Sequence, residues 1–234
     1  MATLNIFSAG AAQAAVTQIA EKFQRESGNL INASFGAVGA MKARVAAGEP
    51  ADVIILTAAL IDELIPQGFV APGSRADLGR VGTGVAVRAG TPLPDVSNEH
   101  VLRGNLLAAT KVVCPDPAVA TAGKVVLKVL EQLGIAGEVK PRLQFFPNGS
   151  AAMAQLAQGN GMLEMGITQV TEIIANRGVA FVGPLPAELQ SMTVYSAGLA
   201  ARSAHPERAK EFIRRLTGFN AQAVLSAAGF DVGR

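Results

Sequence analysis

Tryptophan is absent from this chain, tyrosine occurs once, at Tyr195, and cysteine once, at Cys114. A formal net charge of only +2, without any basic run, completes a surface that offers nucleic acid neither a cationic track nor a stacking platform. A single cysteine excludes an internal disulfide. It closes the apolar run Lys111-Val112-Val113-Cys114 and is expected to be a buried structural thiol rather than a nucleophile. The two histidines, His100 and His205, stand in polar, helix-starting contexts far apart in the chain, so no metal site and no cofactor are expected. No run approaches the roughly 20 apolar residues of a membrane span. The first strand follows Met1-Ala2 directly, with no basic and then apolar leader before it. The expectation is a cytoplasmic protein if Met1 is the native start, and a periplasmic one if a signal peptide has been removed.

What the chain does have is apolar mass, half of its 234 residues, and 25 glycines. That is enough for one large domain or two modest lobes. Four times an apolar strand ends in small residues and gives way at once to an amphipathic helix. The four places are Ile6-Phe7-Ser8-Ala9-Gly10, Ala33-Ser34-Phe35-Gly36, Cys114-Pro115 through Gly123, and Phe146-Pro147-Asn148-Gly149-Ser150. Small residues leave a helix start bare. Its unpaired backbone N–H groups and the positive end of the macrodipole then form an anion site that needs little side-chain charge.

The order of elements is strand, helix, strand, helix. Strands are expected at Leu4 to Phe7, Leu30 to Ser34 and Asp52 to Leu56, with helices near 11–25, 38–47 and 60–65. This pattern describes parallel βαβ units and an α/β fold. At Arg80 the texture changes to an alternating strand through Arg88. A second set follows, with strands at 111–114, 143–146, 164–167 and 180–182 and helices near 98–108, 123–133, 150–158 and 170–176. A last strand at 192–199 precedes helical residues from Pro206. Strands near 81–88 and 192–199 running side by side would form a hinge between two lobes, residues 1–80 with 200–234 and residues 81–199.

Three segments carry a family likeness: Ile6 to Ala11, Ser34-Phe35-Gly36-Ala37-Val38-Gly39-Ala40, and Ala47-Gly48-Glu49-Pro50-Ala51-Asp52-Val53. Together they resemble the ModA-like, molybdate-binding group of type II periplasmic solute-binding proteins. Asp116-Pro117 with Thr121-Ala122-Gly123, Gly166-Ile167, and Val224 to Phe230 extend the likeness over nearly the whole chain. The resemblance implies the two-lobed type II periplasmic-binding-protein fold with a hinge of two crossing strands. It also implies a small anion held in an interlobe cleft, a monomer, and an ABC-transporter permease as partner. Where that family presents a serine at each of the first two helix starts and a tyrosine after the late strand, this sequence has Ala11, Ala37-Val38-Gly39 and Gln169. Backbone donors survive such changes; three hydroxyl donors do not. The expected ligand is therefore an oxyanion or an organic carboxylate.

The candidate ligand-binding residues are Ser8, Ala9, Gly10 and Ala11; Ala37, Val38 and Gly39; Thr121, Ala122 and Gly123; Asn148, Gly149 and Ser150; Thr168 and Gln169; and Arg80. Asn148 reads first as a helix cap, which is compatible with a ligand contact, and Ser8 as either a ligand donor or a turn former. Arg80 reads either as a guanidinium reaching a carboxylate or as a surface side chain. Lys42 and Arg44, one turn into the second helix, read as solvated. Three function classes follow: a transporter's solute-binding protein, an isomerase of a small polycarboxylate (aconitate-isomerase-like) on the same scaffold, and a cytosolic anion sensor. Binding leads, because none of the helix-start segments carries His, Glu or Lys at its tip.

Overall fold

The computed structural model describes residues 2–233. The first half of the chain runs β1 (Thr3–Ala9), a 3-10 turn (Gly10–Ala12), α1 (Gln13–Ser27), β2 (Leu30–Gly36), α2 (Val38–Ala46), β3 (Val53–Thr57) and α3 (Ala58–Leu64). Next come β4 (Ala76–Val81), β5 (Thr83–Arg88), α4 (Glu99–Ala108), β6 (Lys111–Pro115), α5 (Thr121–Gln132) and α6 (Ala136–Val139). The remainder is β7 (Leu143–Phe146), α7 (Gly149–Ala157), β8 (Glu164–Gln169), α8 (Val170–Ile174), β9 (Val179–Pro184), β10 (Thr193–Leu199), α9 (Pro206–Thr217) and α10 (Gln222–Ala227).

Two compact units result, residues through Val81 with those from Thr193 on, and Gly82–Met192. In the first, five strands lie in the order β2-β1-β3-β10-β4. β1 runs parallel to β2 and β3, while β10 is antiparallel to β3 and β4. Every residue of β3 is buried, as expected of a strand covered on both faces. Helix α1 buries Ala15, Val16, Ile19, Ala20 and Phe23, a helical spacing of one apolar face, and stops at Gly28, whose φ of 69° only glycine adopts without strain. Helix α9 starts on Pro206 and buries Ala209, Phe212, Ile213 and Leu216 with the same spacing. The two helices meet through Phe23 and Phe212, edge to face with centroids 5.2 Å apart. Truncating either ring is worth about 3–5 kcal/mol.

In the second unit the order is β7-β6-β8-β5-β9, with β6 parallel to β7 and β8, and β5 antiparallel to β8 and β9. One face of this sheet, through Val85, Val112, Cys114, Met165 and Ile167, packs on Leu102, Leu106, Val126 and Leu130. The other face, through Ala86 and Val113, packs on Ala152, Met153, Leu156 and Ile173. Helix α5 starts so close to the end of β6 that a Cβ on Gly123 would collide with the Pro115 carbonyl and with Pro117.

Two expectations are corrected here. The stretch 80–88 is not one strand: it breaks at Gly82 into β4, in the first sheet, and β5, in the second. The return strand β10 takes its hydrogen bonds from β3 and β4 and not from β5, so residues 193–199 belong to the first unit. The chain thus passes between units at Val81-Gly82 and Met192-Thr193, with Thr193 paired to Val81. The Gln190 side chain pins the start of β5, accepting from the Thr83 N–H and donating to its carbonyl, both at 2.9 Å.

Candidate functional site

In both sheets the parallel strands point their carboxyl ends toward the helix starts, the place where open α/β sheets take ligands. Three helix starts are closed by the side chain of their N-cap residue. Thr57 accepts from the Leu60 N–H at the head of α3, Asn98 from Val101 at α4, and Asn148 from Ala151 at α7 at 2.8 Å. Among the starts without such a cap are three that follow a strand: the turn and helix after Ala9, α2 after Ala37, and α5 after Ala120. Their residues are small and buried: Ala9, Ala11, Ala12, Ala37, Val38, Ala120 and Ala122 are all below 10% exposed. Gly10, Gly39, Thr121 and Gly123 complete them. Buried N–H groups need acceptors, and each start carries about half an elementary positive charge.

Ser8, fully buried at the end of β1, turns its hydroxyl onto the neighbouring Ala9 carbonyl at 3.1 Å. Lys42 pairs with Glu63 at 2.6 Å, and Arg44 pairs with Glu49 while lying 4.1 Å over the Phe7 ring. Neither cation is free for a ligand. Arg80 is exposed and donates to Asp231 at 2.6 Å, so its fork is engaged within the first unit.

The fourth start differs from the sequence expectation. Besides the Asn148 cap, the Gly149 and Ser150 N–H groups donate to the carboxylate of Glu172, which also takes the N–H of Gln169. Thr168 donates its hydroxyl to the same group at 2.6 Å. Gly149, Ser150 and Thr168 are therefore already partnered by the Glu172 carboxyl, and Asn148 by the Ala151 N–H, so none of them is the free donor the sequence led us to expect. Burial pushes the Glu172 carboxyl above the usual carboxylate range, against the pull of the Thr168 hydroxyl and the three backbone donors. The sequence reading missed Glu172. Its one signal was position, the third residue of α8 after Gln169, where a glutamate reaches back to the cap.

Gln169 ends β8, 2% exposed, directly opposite Thr83 in the ladder. Thr83 is the second residue missed. Its hydroxyl is fully buried and has no hydrogen-bond partner among the described residues. Alternation puts Thr83 and Gln169 on the sheet face of Val85 and Ile167, the face that packs on Val126 of α5. A spare hydroxyl thus lies on the face of α5 at the strand end where that helix begins.

Among the described residues no three His, Cys, Asp or Glu side chains come together to hold a metal. Cys114 is fully buried, and burial, followed by the nearby Asp116 charge, pushes its thiol up to about 12. Among the described residues no helix is long and apolar enough to cross a membrane.

Residues 4–231 match the family described as bacterial extracellular solute-binding protein, and the chain belongs to that family. The aconitate isomerase of a Pseudomonas species is 30% identical over 97% of this chain and 87% of its own. A Bacillus subtilis (strain 168) protein named "Putative ABC transporter substrate-binding lipoprotein YvgL" is 24% identical over 97% of this chain and 86% of its own. The periplasmic molybdate-binding protein of Azotobacter vinelandii superposes with a TM-score of 0.83 at 24% identity, over 99% of this chain and all of that one. The fold is therefore the type II periplasmic-binding-protein fold expected from the sequence.

Proposed function

We propose that this solute-binding protein takes a small anion, an oxyanion or an organic carboxylate, on the three buried helix starts after Ala9, Ala37 and Ala120, which carry no side-chain cap. The observation that carries the reading is the contrast among helix starts. Those of α3, α4 and α7 are closed by their own side chains, whereas those at Ala9–Ala12, Ala37–Gly39 and Thr121–Gly123 are buried and left open. Gln169 and the spare Thr83 hydroxyl supply side-chain donors where the second unit's sheet ends. Handing the ligand to an ABC-transporter permease is the role that fits the family and the name of the Bacillus relative.

A melting screen against molybdate, sulfate, phosphate and di- and tricarboxylates tests this directly. A ligand at 100 times its dissociation constant stabilises the native state by about 2.7 kcal/mol. No shift with any anion at millimolar concentration refutes the reading.

One observation favours a second reading, isomerisation of an unsaturated tricarboxylate: the Pseudomonas relative, 30% identical over almost the full chain, is named for that activity. Uncapped helix starts that bind carboxylates also stabilise the negative charge that develops when a proton leaves carbon. Incubation with cis- or trans-aconitate in deuterated water, followed by NMR, separates the two. Binding alone leaves the spectrum unchanged; turnover or deuterium uptake makes the protein an enzyme.

A further inference from the structure

Glu172 does more than a capping glutamate needs to do. A glutamate at the third position of α8 caps that helix by accepting the Gln169 N–H alone. Glu172 also reaches across to the Gly149 and Ser150 N–H groups of α7, a helix that already has Asn148 as its cap. Room for this comes from the absence of a side chain at 149. A Cβ there would collide with the Glu172 carboxylate and the Thr168 hydroxyl. Residues 149 and 172 together thus build a tethered anion onto the α7 start.

Among the described residues, the elements packed against α8 place no cation beside it. Helix α8 packs against α7, β5, β8 and β9. Neither α7 nor β9 contains a titratable residue, and Glu172 is the one such residue of α8. On β8 the other ionisable group is Glu164, at the opposite end of the strand and paired with Lys111 at 3.1 Å. On β5 it is Arg88, at the end far from Thr83.

We propose that Glu172 is a specificity-determining residue: its carboxylate fills the anion position at the α7 start and sets one fixed negative charge beside Thr168 and Gln169, against which an external anion must bind. This rests on the anion-binding reading above. It makes two demands. Affinity for dianions and trianions is held down while Glu172 is ionised, and it rises when that charge is removed by substitution or by protonation. A unit charge a few ångströms from a dianion at a protein surface changes affinity by about tenfold or more.

The experiment is titration calorimetry of wild type, Glu172→Gln and Glu172→Asp with sulfate and citrate at pH 8, and with sulfate down to pH 5, where the charge of sulfate is constant. Glu172→Gln is expected to bind both anions about tenfold tighter than wild type at pH 8. As pH falls wild type moves toward the variant, and Glu172→Asp, which keeps the ionisable group, keeps the pH dependence. Equal or weaker binding by a folded Glu172→Gln at pH 8 overturns the proposal. Should that variant not fold, Glu172→Ala takes its place: equal or weaker binding of both anions by the folded alanine variant at pH 8 overturns the proposal. Absence of binding of either anion to wild type and to Glu172→Gln alike refutes the proposal, and the anion reading falls with it only if the wider melting screen is silent as well, whereas binding indifferent to Glu172 refutes the proposal alone.

Discussion

The carboxylate of Asp52 accepts the Ser203 hydroxyl at 2.6 Å, linking residues 151 positions apart. Its other oxygen takes the Asn5 N–H at 2.8 Å, and the Asp52 backbone exchanges hydrogen bonds with Asn5 and Ala200. Asp52 is 2% exposed, so one side chain holds β1, β3 and the loop after β10 in register. Asp52→Ala strands the Asn5 and Ser203 donors and is expected to cost about 2–4 kcal/mol. Asp52→Asn, which keeps an acceptor, costs less. Urea unfolding measures both, and a loss under about 0.5 kcal/mol for the alanine variant would contradict the role.

Gly149 and Glu172 are expected to be energetically coupled. A methyl at 149 must displace the carboxylate or shift α7, so Gly149→Ala costs about 1–3 kcal/mol in an otherwise unchanged chain. With Glu172→Ala the obstacle is gone and the penalty shrinks. The double-mutant cycle should return a coupling of at least about 1 kcal/mol. Additive effects would mean that the glycine is there for another reason.

Much of the fold is legible because local signals and tertiary demands agree. Val53-Ile54-Ile55-Leu56 is an apolar run and is a strand buried on both faces; Ala15 to Phe23 has helical spacing and is helix α1. What is not legible depends on partners distant in sequence. β4 carries Asp77, Gly79 and Arg80 on a half-exposed edge and is held by pairing with β10 and with Asp231. The bare helix starts are visible as runs of alanine and glycine. Which of them stay open is only partly so: the Asn148 cap of α7 is visible, but the Gly149 and Ser150 N–H groups are taken by a residue more than 20 positions away, and a buried hydroxyl such as Thr83 looks like any strand threonine until its surroundings are known.

Arg80→Ala separates the surface reading of that residue from the ligand reading. Its guanidinium pairs with Asp231, with both side chains about half exposed, while the backbone N–H and carbonyl of Arg80 pair with those of Asp231 independently of the side chain. An exposed pair of this kind contributes little. The variant should keep the melting temperature and anion response of wild type; an affinity loss of tenfold or more would return Arg80 to the ligand set.

Backbone donors are removed cleanly only by proline, and the start of α5 permits it. Thr121 is the first residue of that helix, where its N–H has no intrahelical acceptor and where proline is tolerated. The preceding Ala120, at φ −122° and ψ 134°, already occupies the region that proline imposes on its neighbour. Thr121→Pro should therefore fold as wild type does while deleting one donor from an open helix start. A hydrogen bond to a charged ligand is worth about 1.5–3 kcal/mol, so the best anion from the melting screen should bind about ten- to a hundredfold more weakly. Calorimetry on the folded variant is the check. Unchanged affinity would show that the α5 start does not contact the ligand and would leave the anion to the two starts of the first unit.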